Sequence, residues 1–177
     1  MKYQVVHAVE FGVPQKRERV IIVGFRKDLN VEFDFPEAVV DSPEKYVPLS
    51  KVIDSDVDDK YFFSQKAVDG MMRNRESMNK GRAQNVDEPC NTVGAHLAKV
   101  SLNSTDPVLK VDNKYRRFTP REVARIQSFP ETFKLTESEH AQYKALGNAI
   151  PPVMFWYIMR SVKDSLNSEK KYESITV

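Results

Sequence analysis

The chain has 177 residues, enough for one medium domain or two small ones. Its single cysteine, Cys90, excludes an internal disulfide and favours a reducing, cytoplasmic setting. No apolar run reaches the length of a membrane span, and a secretion signal is not evident. The net charge is only +2, but residues 60–82 and 99–125 are mostly basic. Such a basic face suits a polyanion, although a merely solvated surface has the same composition.

Two strands joined by a turn are the first predicted elements. Residues 3–9 and 19–25 predict strands, the second with a β-branched apolar run from residue 20, and Gly12 and Pro14 punctuate the chain between them. These two strands and the turn between them predict an antiparallel hairpin. A hairpin of this size needs sheet neighbours or a helix against it. The apolar second strand predicts that both its faces are covered, by this chain or by another polypeptide.

Polar side chains alternate just before the second strand. Gln15, Arg17 and Arg19 are spaced two apart, so extended geometry predicts that all three leave on one face. An exposed arginine is usually solvated surface. One amide and two guanidiniums that point the same way instead suit an acceptor-rich target.

The middle of the chain has little periodicity. Residues 30–60 contain interrupting prolines and predict an extended connection with a short helical turn near residues 49–53. The acidic cluster within residues 54–59 lacks the glycine turn and the spaced glutamate of an EF-hand, so no metal site is predicted. Residues 61–72 predict a short helix, and residues 100–111 a strand-rich stretch that is broken near Pro107.

Two polar features lie between these elements. Residues 73–82 are basic and rich in amides, which suits phosphate and base-edge contacts, although a surface loop has the same composition. Cys90 has no adjacent lysine or arginine to lower its pKa, so a half-buried thiol is predicted rather than a nucleophile.

The C-terminal third predicts three helices. Thr119 and Glu122 form the pattern of a capping box, and the helix should stop before Pro130. Thr136 and Glu139 predict a second capping box, on a helix that closes at Gly147.

The third of these helices begins after two prolines. Residues 153–159 are apolar, so its first turns are expected to be buried all round. A stripe at spacing four continues that apolar character, and the polar tail after Ser168 is expected to fray. The stripe is Met154, Ile158, Val162 and Leu166.

Three blocks of sequence together resemble the C-terminal half of the DNA (cytosine-5) methyltransferases, in the order of that family. Such enzymes place target recognition in the variable region between the first block and the second, and the resemblance covers nearly the whole chain. The blocks are Gln15-Lys16-Arg17-Glu18-Arg19, then Arg117-Phe118-Thr119-Pro120-Arg121-Glu122 with Gln127-Ser128-Phe129-Pro130, then Tyr143-Lys144-Ala145-Leu146-Gly147-Asn148-Ala149-Ile150-Pro151-Pro152.

Other motifs of the family are missing from this sequence. These are the Phe-x-Gly-x-Gly loop that binds S-adenosylmethionine, the Pro-Cys-Gln loop with the nucleophilic cysteine, and Glu-Asn-Val. The resemblance therefore implies a larger partner polypeptide that carries these motifs and binds most of the S-adenosylmethionine. A truncated chain is the alternative explanation.

The resemblance also implies roles for single residues. Arg19 would donate a hydrogen bond to a flipped-out cytosine, and Arg17 would help to form that catalytic pocket, while the nucleophilic cysteine comes from the partner. The implied contacts to double-stranded DNA are Gln15, Arg73, Arg75, Lys80, Arg82 and Thr92, and those to the cofactor are Asn148, Ala149 and Ile150.

The implied fold class is α+β, partly α/β. The hairpin and C-terminal helices would complete a partner's Rossmann-like methyltransferase domain, next to a small irregular β-rich target-recognition domain. The parts are residues 1–30 and 116–168 (catalytic), 31–60 (connection), 61–115 (target recognition) and 169–177 (polar tail).

The implied function is the DNA-recognition and site-completing part of a bacterial, restriction-modification-type cytosine-5 methyltransferase. A non-catalytic DNA-binding module or a degenerate relic is the alternative, and an independent cysteine enzyme is a remote third.

Overall fold

The structure, a computed structural model, describes residues 1–73, 83–99, 106–135 and 138–173, which contain six short strands and four α-helices besides short 3-10 turns. The strands are β1 (Lys2–His7), β2 (Gln15–Lys16), β3 (Glu18–Val23), β4 (Cys90–Asn91), β5 (Leu109–Val111) and β6 (Lys114–Arg116). The helices are α1 (Gln65–Arg73), α2 (Pro120–Ile126), α3 (Glu139–Asn148) and α4 (Pro152–Glu173).

β1 and β3 form the predicted hairpin. They pair antiparallel along their whole length, and residues that lie opposite each other share a face. On one face, Val6 is buried and Ile21 partly buried against Met154 and Ile158 of α4. The helix thus supplies the cover that a two-stranded sheet needs on that side.

The other face of the hairpin is not covered by the described residues, so its cover by another polypeptide stays a prediction. Tyr3 lies opposite Ile22, and Val5 lies opposite Val20. These four residues are 75%, 64%, 48% and 61% exposed, in that order. An apolar run shows that a strand is suited to a covered position, but it does not show which polypeptide supplies the cover.

α4 has a buried face and an exposed apolar face. Met154 and Ile158 are buried, which confirms the start of the predicted stripe. Burial all round was wrong, because Phe155, Trp156 and Met159 are between 41% and 53% exposed. The helix continues to Glu173, beyond the end expected at Ser168.

A second core joins α2 and α3 to the middle of the chain. Its buried members are Leu49, Cys90, Val93, Leu97, Leu109, Phe118, Val123, Ala124, Ile126, Tyr143 and Leu146. Residues from the ranges 31–60 and 61–115 therefore share one hydrophobic core with α2 and α3. The division of the chain into domains stays a prediction.

The helix starts follow local capping chemistry. At α2 the predicted capping box is confirmed, since the Thr119 hydroxyl accepts the Glu122 N–H and the Glu122 carboxylate accepts the Thr119 N–H. At α3 the N-cap is Ser138, whose hydroxyl accepts the Ala141 N–H. The expected cap, Thr136, lies outside the described residues.

Closure of α3 at Gly147 was wrong, because the helix includes Gly147 and ends at Asn148 with Ala149 as its C-cap. Two other local predictions hold with shifted bounds. A 3-10 turn at Leu49–Lys51 matches the expected helical turn. α1 begins at Gln65 rather than near Tyr61, because residues 59–61 form a separate 3-10 turn that Asp58 caps. In the described ranges, no helix is long and apolar enough to cross a membrane.

Candidate functional site

Gln15 lies in β2, which pairs in parallel with β4, and its side chain is fully buried. Its Oε1 accepts the N–H of Val93 at 3.0 Å, and its Nε2 donates to Oε1 of Gln127 at 3.0 Å. Both ends of the amide are thus used inside the protein. The implied contact from Gln15 to DNA stays a prediction, and in this structure the amide binds only groups inside the protein.

Gln127 extends this arrangement to α3. Its fully buried side chain donates from Nε2 to the carbonyl oxygen of Leu146. The sequence singled out Gln127 only as part of a family block, with no role. A glutamine just past a short helix is ordinarily exposed, so the sequence around Gln127 did not predict that its side chain is buried.

Arg17 is the most constrained cation of the site. Only 4% of the residue is exposed. Nη1 donates to the carbonyl oxygen of Val93, and Nη2 donates to those of Gly147 and Ala149, each at 3.2 Å. The last two carbonyls lie at the C-terminal end of α3, where a cation is favoured by the helix dipole and by acceptors that lack helical partners.

Burial of the Arg17 guanidinium is costly. It lowers the pKa to about 10, and the nearby charge of Arg19 adds to the effect in the same direction. Among the described residues, Nε of Arg17 has no hydrogen-bond partner. The group still carries its charge at neutral pH, so the carbonyl dipoles must balance it.

Arg19 lies in a different environment. It is exposed, and its Nη1 donates to the carbonyl oxygen of Glu18 at 2.6 Å. The N–H of Arg17 donates to the carbonyl oxygen of Gln15, which closes a three-residue turn and breaks the alternation before β3. The prediction that Gln15, Arg17 and Arg19 leave on one face was therefore wrong. Arg19 instead offers its donors to solvent or to a ligand.

Two predicted surface segments lie on either side of Arg17. Thr92 is exposed, its hydroxyl donates to the carbonyl oxygen of Lys16 at 2.9 Å, and it precedes the clamped Val93. Asn148 and Ile150 are exposed and flank Ala149, whose carbonyl oxygen binds Arg17. The structure thus brings the implied DNA and cofactor segments to the same arginine.

Other candidates are placed less fully. Arg73 ends α1, and Arg75, Lys80 and Arg82 lie outside the described residues. Cys90 is fully buried, which raises the pKa of its thiol well above the usual range. A thiol in this state is a poor nucleophile. The described residues contain no cluster of side chains that could hold a metal ion.

The fold of this chain is similar to that of methyltransferases of known structure. A crystal structure of S. pombe Dnmt2 methyltransferase matches with a TM-score of 0.66 at 16% identity, over 93% of this chain and 57% of that one. The Entamoeba histolytica methyltransferase EhMeth matches with a TM-score of 0.63 at 18% identity, over 93% and 53%. Identities this low establish likeness of fold alone.

Sequence comparison adds the family. A family model described as C-5 cytosine-specific DNA methylase matches residues 1–164. The type II methyltransferase M.FnuDI of Fusobacterium nucleatum is 34% identical, over 95% of this chain and 56% of the relative. M1.ScrFI of Lactococcus lactis subsp. cremoris is 35% identical, over 93% and 43%. The chain belongs to the C-5 cytosine-specific DNA methylase family, and it spans about half the length of these relatives.

Proposed function

We propose that this chain is the DNA-recognition and site-completing part of a cytosine-5 DNA methyltransferase. The other part is a polypeptide with the cofactor loop and the nucleophilic cysteine. The observation that carries the proposal is the exposed guanidinium of Arg19, next to the ordered cluster around Arg17, in a chain of this family. The assembled enzyme would methylate C5 of a cytosine flipped out of duplex DNA.

Arg19 is the residue that we assign to the reacting base. When the partner's cysteine adds to C6 of cytosine, negative charge develops on the ring and its carbonyl oxygen. A guanidinium that donates to this oxygen stabilises the charge. Its exposure at the start of β3 supports this role, because the strand fixes the main chain of Arg19 while the guanidinium, whose Nη1 bonds the Glu18 carbonyl oxygen, keeps further donors at the surface.

Asn148, Ala149 and Ile150 are the residues that would hold S-adenosylmethionine from this side. Asn148 offers an exposed amide, and Ile150, which is 48% exposed, offers an apolar side chain. Adjacent polar and apolar groups fit a cofactor with a charged end and an aromatic base. When bound, the cofactor supplies an electrophilic methyl group, and this chain orients it and shields it from water.

DNA binding is assigned to the surface around Thr92 together with the basic residues 73–82. Phosphate contacts supply most of the affinity in such complexes, and base-edge contacts supply the specificity. Thr92 suits the second task, because its exposed side chain is oriented by the bond from its hydroxyl to the carbonyl oxygen of Lys16, and the hydroxyl oxygen can still accept.

The open apolar surfaces support a partner polypeptide. The uncovered face of the β1–β3 hairpin and the outer face of α4 carry large apolar side chains. Large exposed apolar side chains on one face are typical of an interaction site. The half of the family's length that this chain does not match is the occupant we propose, through a large apolar interface like a cut domain core.

The experiment is reconstitution. The chain is mixed with a polypeptide from the same genome that carries Phe-x-Gly-x-Gly and Pro-Cys-Gln, and transfer of labelled methyl to duplex DNA is measured. We expect transfer by the mixture and none by either part alone. Methylation by this chain alone contradicts the proposal. Cys90→Ser is the control and should leave the reconstituted activity largely intact, because the buried thiol takes no part.

The same reconstitution experiment tests the alternative, a non-catalytic DNA-binding module. Binding of duplex DNA by the chain, with no methyl transfer in any mixture with the co-purifying partner, would favour a non-catalytic DNA-binding module.

A further inference from the structure

We propose that Arg17 is a positioning residue that couples the two ligand-facing surfaces of this chain. The first surface is the Thr92 segment (residues 92–95), and the second is the α3 end (residues 146–150). The inference rests on the proposed function, which assigns the Thr92 segment to DNA and the α3 end to the cofactor. Its new content is that binding of one ligand alters the affinity for the other through Arg17.

One rigid group joins the two segments. Nη1 of Arg17 binds the carbonyl oxygen of Val93 in the Thr92 segment, and Nη2 binds Gly147 and Ala149 at the α3 end. A guanidinium is planar, so its donors keep a fixed angle to one another. A displacement of Val93 therefore cannot occur without loss of a hydrogen bond or a matching displacement of the α3 end.

The Thr92 segment is gripped tightly enough to transmit such a displacement. Gln15 accepts the N–H of Val93 while Arg17 donates to its carbonyl oxygen. The hydroxyl of Thr92 is bound in turn to the main chain of Lys16. Three successive groups of this segment are therefore hydrogen-bonded: the Thr92 hydroxyl, the Val93 N–H and the Val93 carbonyl oxygen. A ligand that displaces the exposed Thr92 side chain thus also displaces the carbonyl group that Arg17 binds.

Direct backbone contact between the two segments provides a second observation. A Cβ atom at Gly147 would lie 2.2 Å from the carbonyl oxygen of Gly94 and 2.5 Å from the nitrogen of Ala95. Only glycine permits this approach. Closely packed backbone segments do not slide past each other in small steps. The Thr92 segment and the α3 end therefore either stay in this contact or separate into a second arrangement.

Energetics also favour a positioning role. A buried cation costs free energy, and Nε of Arg17 has no hydrogen-bond partner among the described residues. An apolar side chain would avoid that cost but would leave three carbonyl oxygens without their donor, those of Val93, Gly147 and Ala149. The arginine therefore holds carbonyl groups of two segments in one arrangement, which is the role of a positioning residue.

The test uses the reconstituted enzyme. The dissociation constant of S-adenosylmethionine is measured with and without a saturating cognate DNA duplex. We expect duplex DNA to tighten cofactor binding on the order of tenfold, within the usual range of coupling between sites. We call the ratio of the two dissociation constants the coupling factor. Arg17→Lys keeps the charge but loses the planar fork, so this coupling factor should fall to about one.

Reciprocity provides an internal check. If the coupling is thermodynamic, the cofactor must tighten DNA binding by the same factor in the wild-type enzyme. A factor of one in the wild-type enzyme overturns the inference without any variant.

The matched control is Arg121→Lys. Arg121 also donates from both Nη atoms to carbonyl oxygens, those of Glu131 and Phe133, but it is bonded within one local segment. Its substitution should leave the coupling factor unchanged. If Arg17→Lys lowers only the melting temperature or the fraction of active complex, and the factor per active complex stays at the wild-type value, Arg17 is merely structural and the inference fails.

The two proposals fail in different ways. A reconstituted enzyme that methylates DNA, with coupling that Arg17→Lys does not change, overturns this inference and leaves the proposed function in place. A mixture that neither binds the cofactor nor methylates DNA overturns both. Gln15→Met serves as a second variant if Arg17→Lys does not fold. It removes the hydrogen bond between Gln15 and the N–H of Val93 but keeps the bond from Arg17. The coupling factor should then lie between one and the wild-type value, and an unchanged factor counts against the inference.

Discussion

Arg116 and Glu122 form a fully buried ion pair with two hydrogen bonds. Nη1 of Arg116 donates to Oε2 of Glu122 at 2.8 Å, and Nη2 donates to Oε1 at 2.7 Å. Their side chains are 1% and 0% exposed. The same carboxylate accepts the N–H groups of Thr119 and Asp54. One glutamate therefore caps α2 and joins it to β6 and to the connection near Asp54.

This relationship predicts a large loss of stability for Glu122→Gln. The substitution keeps the shape but leaves the buried Arg116 without a counter-charge, which typically costs about 3–5 kcal/mol. The free energy of unfolding in urea measures it. Glu131→Gln is the control, because Glu131 pairs with Arg125 at the surface, where such pairs contribute about 1 kcal/mol or less. Equal losses in the two variants would contradict the prediction.

Gly147→Ala tests the contact between α3 and the Thr92 segment. The added methyl group would collide with the main chain of Gly94, so we expect a loss of about 1–3 kcal/mol. Gly24→Ala is the matched control, because the nearest atom to a Cβ there is Cγ of Met1 at 4.0 Å. Unfolding curves for the two variants should therefore separate. Coincident curves would show that the α3 end moves aside without cost.

Arg19→Ala should remove activity without loss of fold. Loss of one donor to a developing negative charge costs on the order of a hundredfold in turnover. Stability should change by less than about 0.5 kcal/mol, because the side chain is exposed. Turnover and thermal melting are measured on one preparation of the reconstituted enzyme.

Two further variants sharpen the Arg19 prediction. Arg19→Lys should rescue turnover poorly, since an ammonium group lacks the planar fork. Arg26→Ala removes another exposed arginine, which pairs with Asp28, and should leave turnover unchanged. A normal rate per folded complex in Arg19→Ala would refute its assignment to the base.

Ile22→Asp tests the open face of the hairpin. Ile22 is 64% exposed, so a charge there should leave the chain folded. It should abolish association with the partner, because a carboxylate would be buried in an apolar interface without a counter-charge. Sedimentation of the mixed polypeptides gives the readout.

Val39→Asp is the control for this surface variant. Val39 is 50% exposed but lies outside the hairpin, so its substitution should not affect association. Equal association of Ile22→Asp and the wild-type chain would exclude this face from the interface.

Glu139 predicts a pH dependence of stability. Hydrogen bonds from Lys60 first, and then from Tyr61, hold the pKa of this carboxyl below its ordinary value of 4.5. A carboxyl with a lowered pKa in the folded state stabilises the fold above its ordinary pKa. That contribution is lost as the pH falls through the lower, folded value.

Glu139→Gln should therefore be less stable than the wild-type chain at neutral pH. The difference should shrink as the pH falls from the ordinary pKa of 4.5, where the carboxyl of the unfolded chain takes up a proton, through the lower pKa of the folded chain. Urea unfolding at a series of pH values measures the difference. A difference that stays constant from about pH 7 to about pH 3 would rule out this carboxylate as its source.

The sequence alone determined the elements whose interactions are local. Thr119 and Glu122 predicted the start of α2, because a capping box satisfies the first N–H groups of a helix within four residues. The β-branched runs predicted β1 and β3 and their pairing. The spacing of Met154 and Ile158 predicted the buried stripe of α4. Each of these signals depends only on near neighbours in the chain.

Only the tertiary structure decided which polar side chains turn inward. Gln15, Arg17 and Arg19 look equivalent in sequence, but the turn at Arg17 sends two of them into the protein and leaves the third outside. The partners of Arg17 lie 76, 130 and 132 residues away in the chain. Hydrogen bonds at such separations in sequence form only when the segments pack together. The residues next to Arg17 in the chain therefore cannot predict them. The open face of the hairpin has the same origin, because only packing shows which side α4 covers.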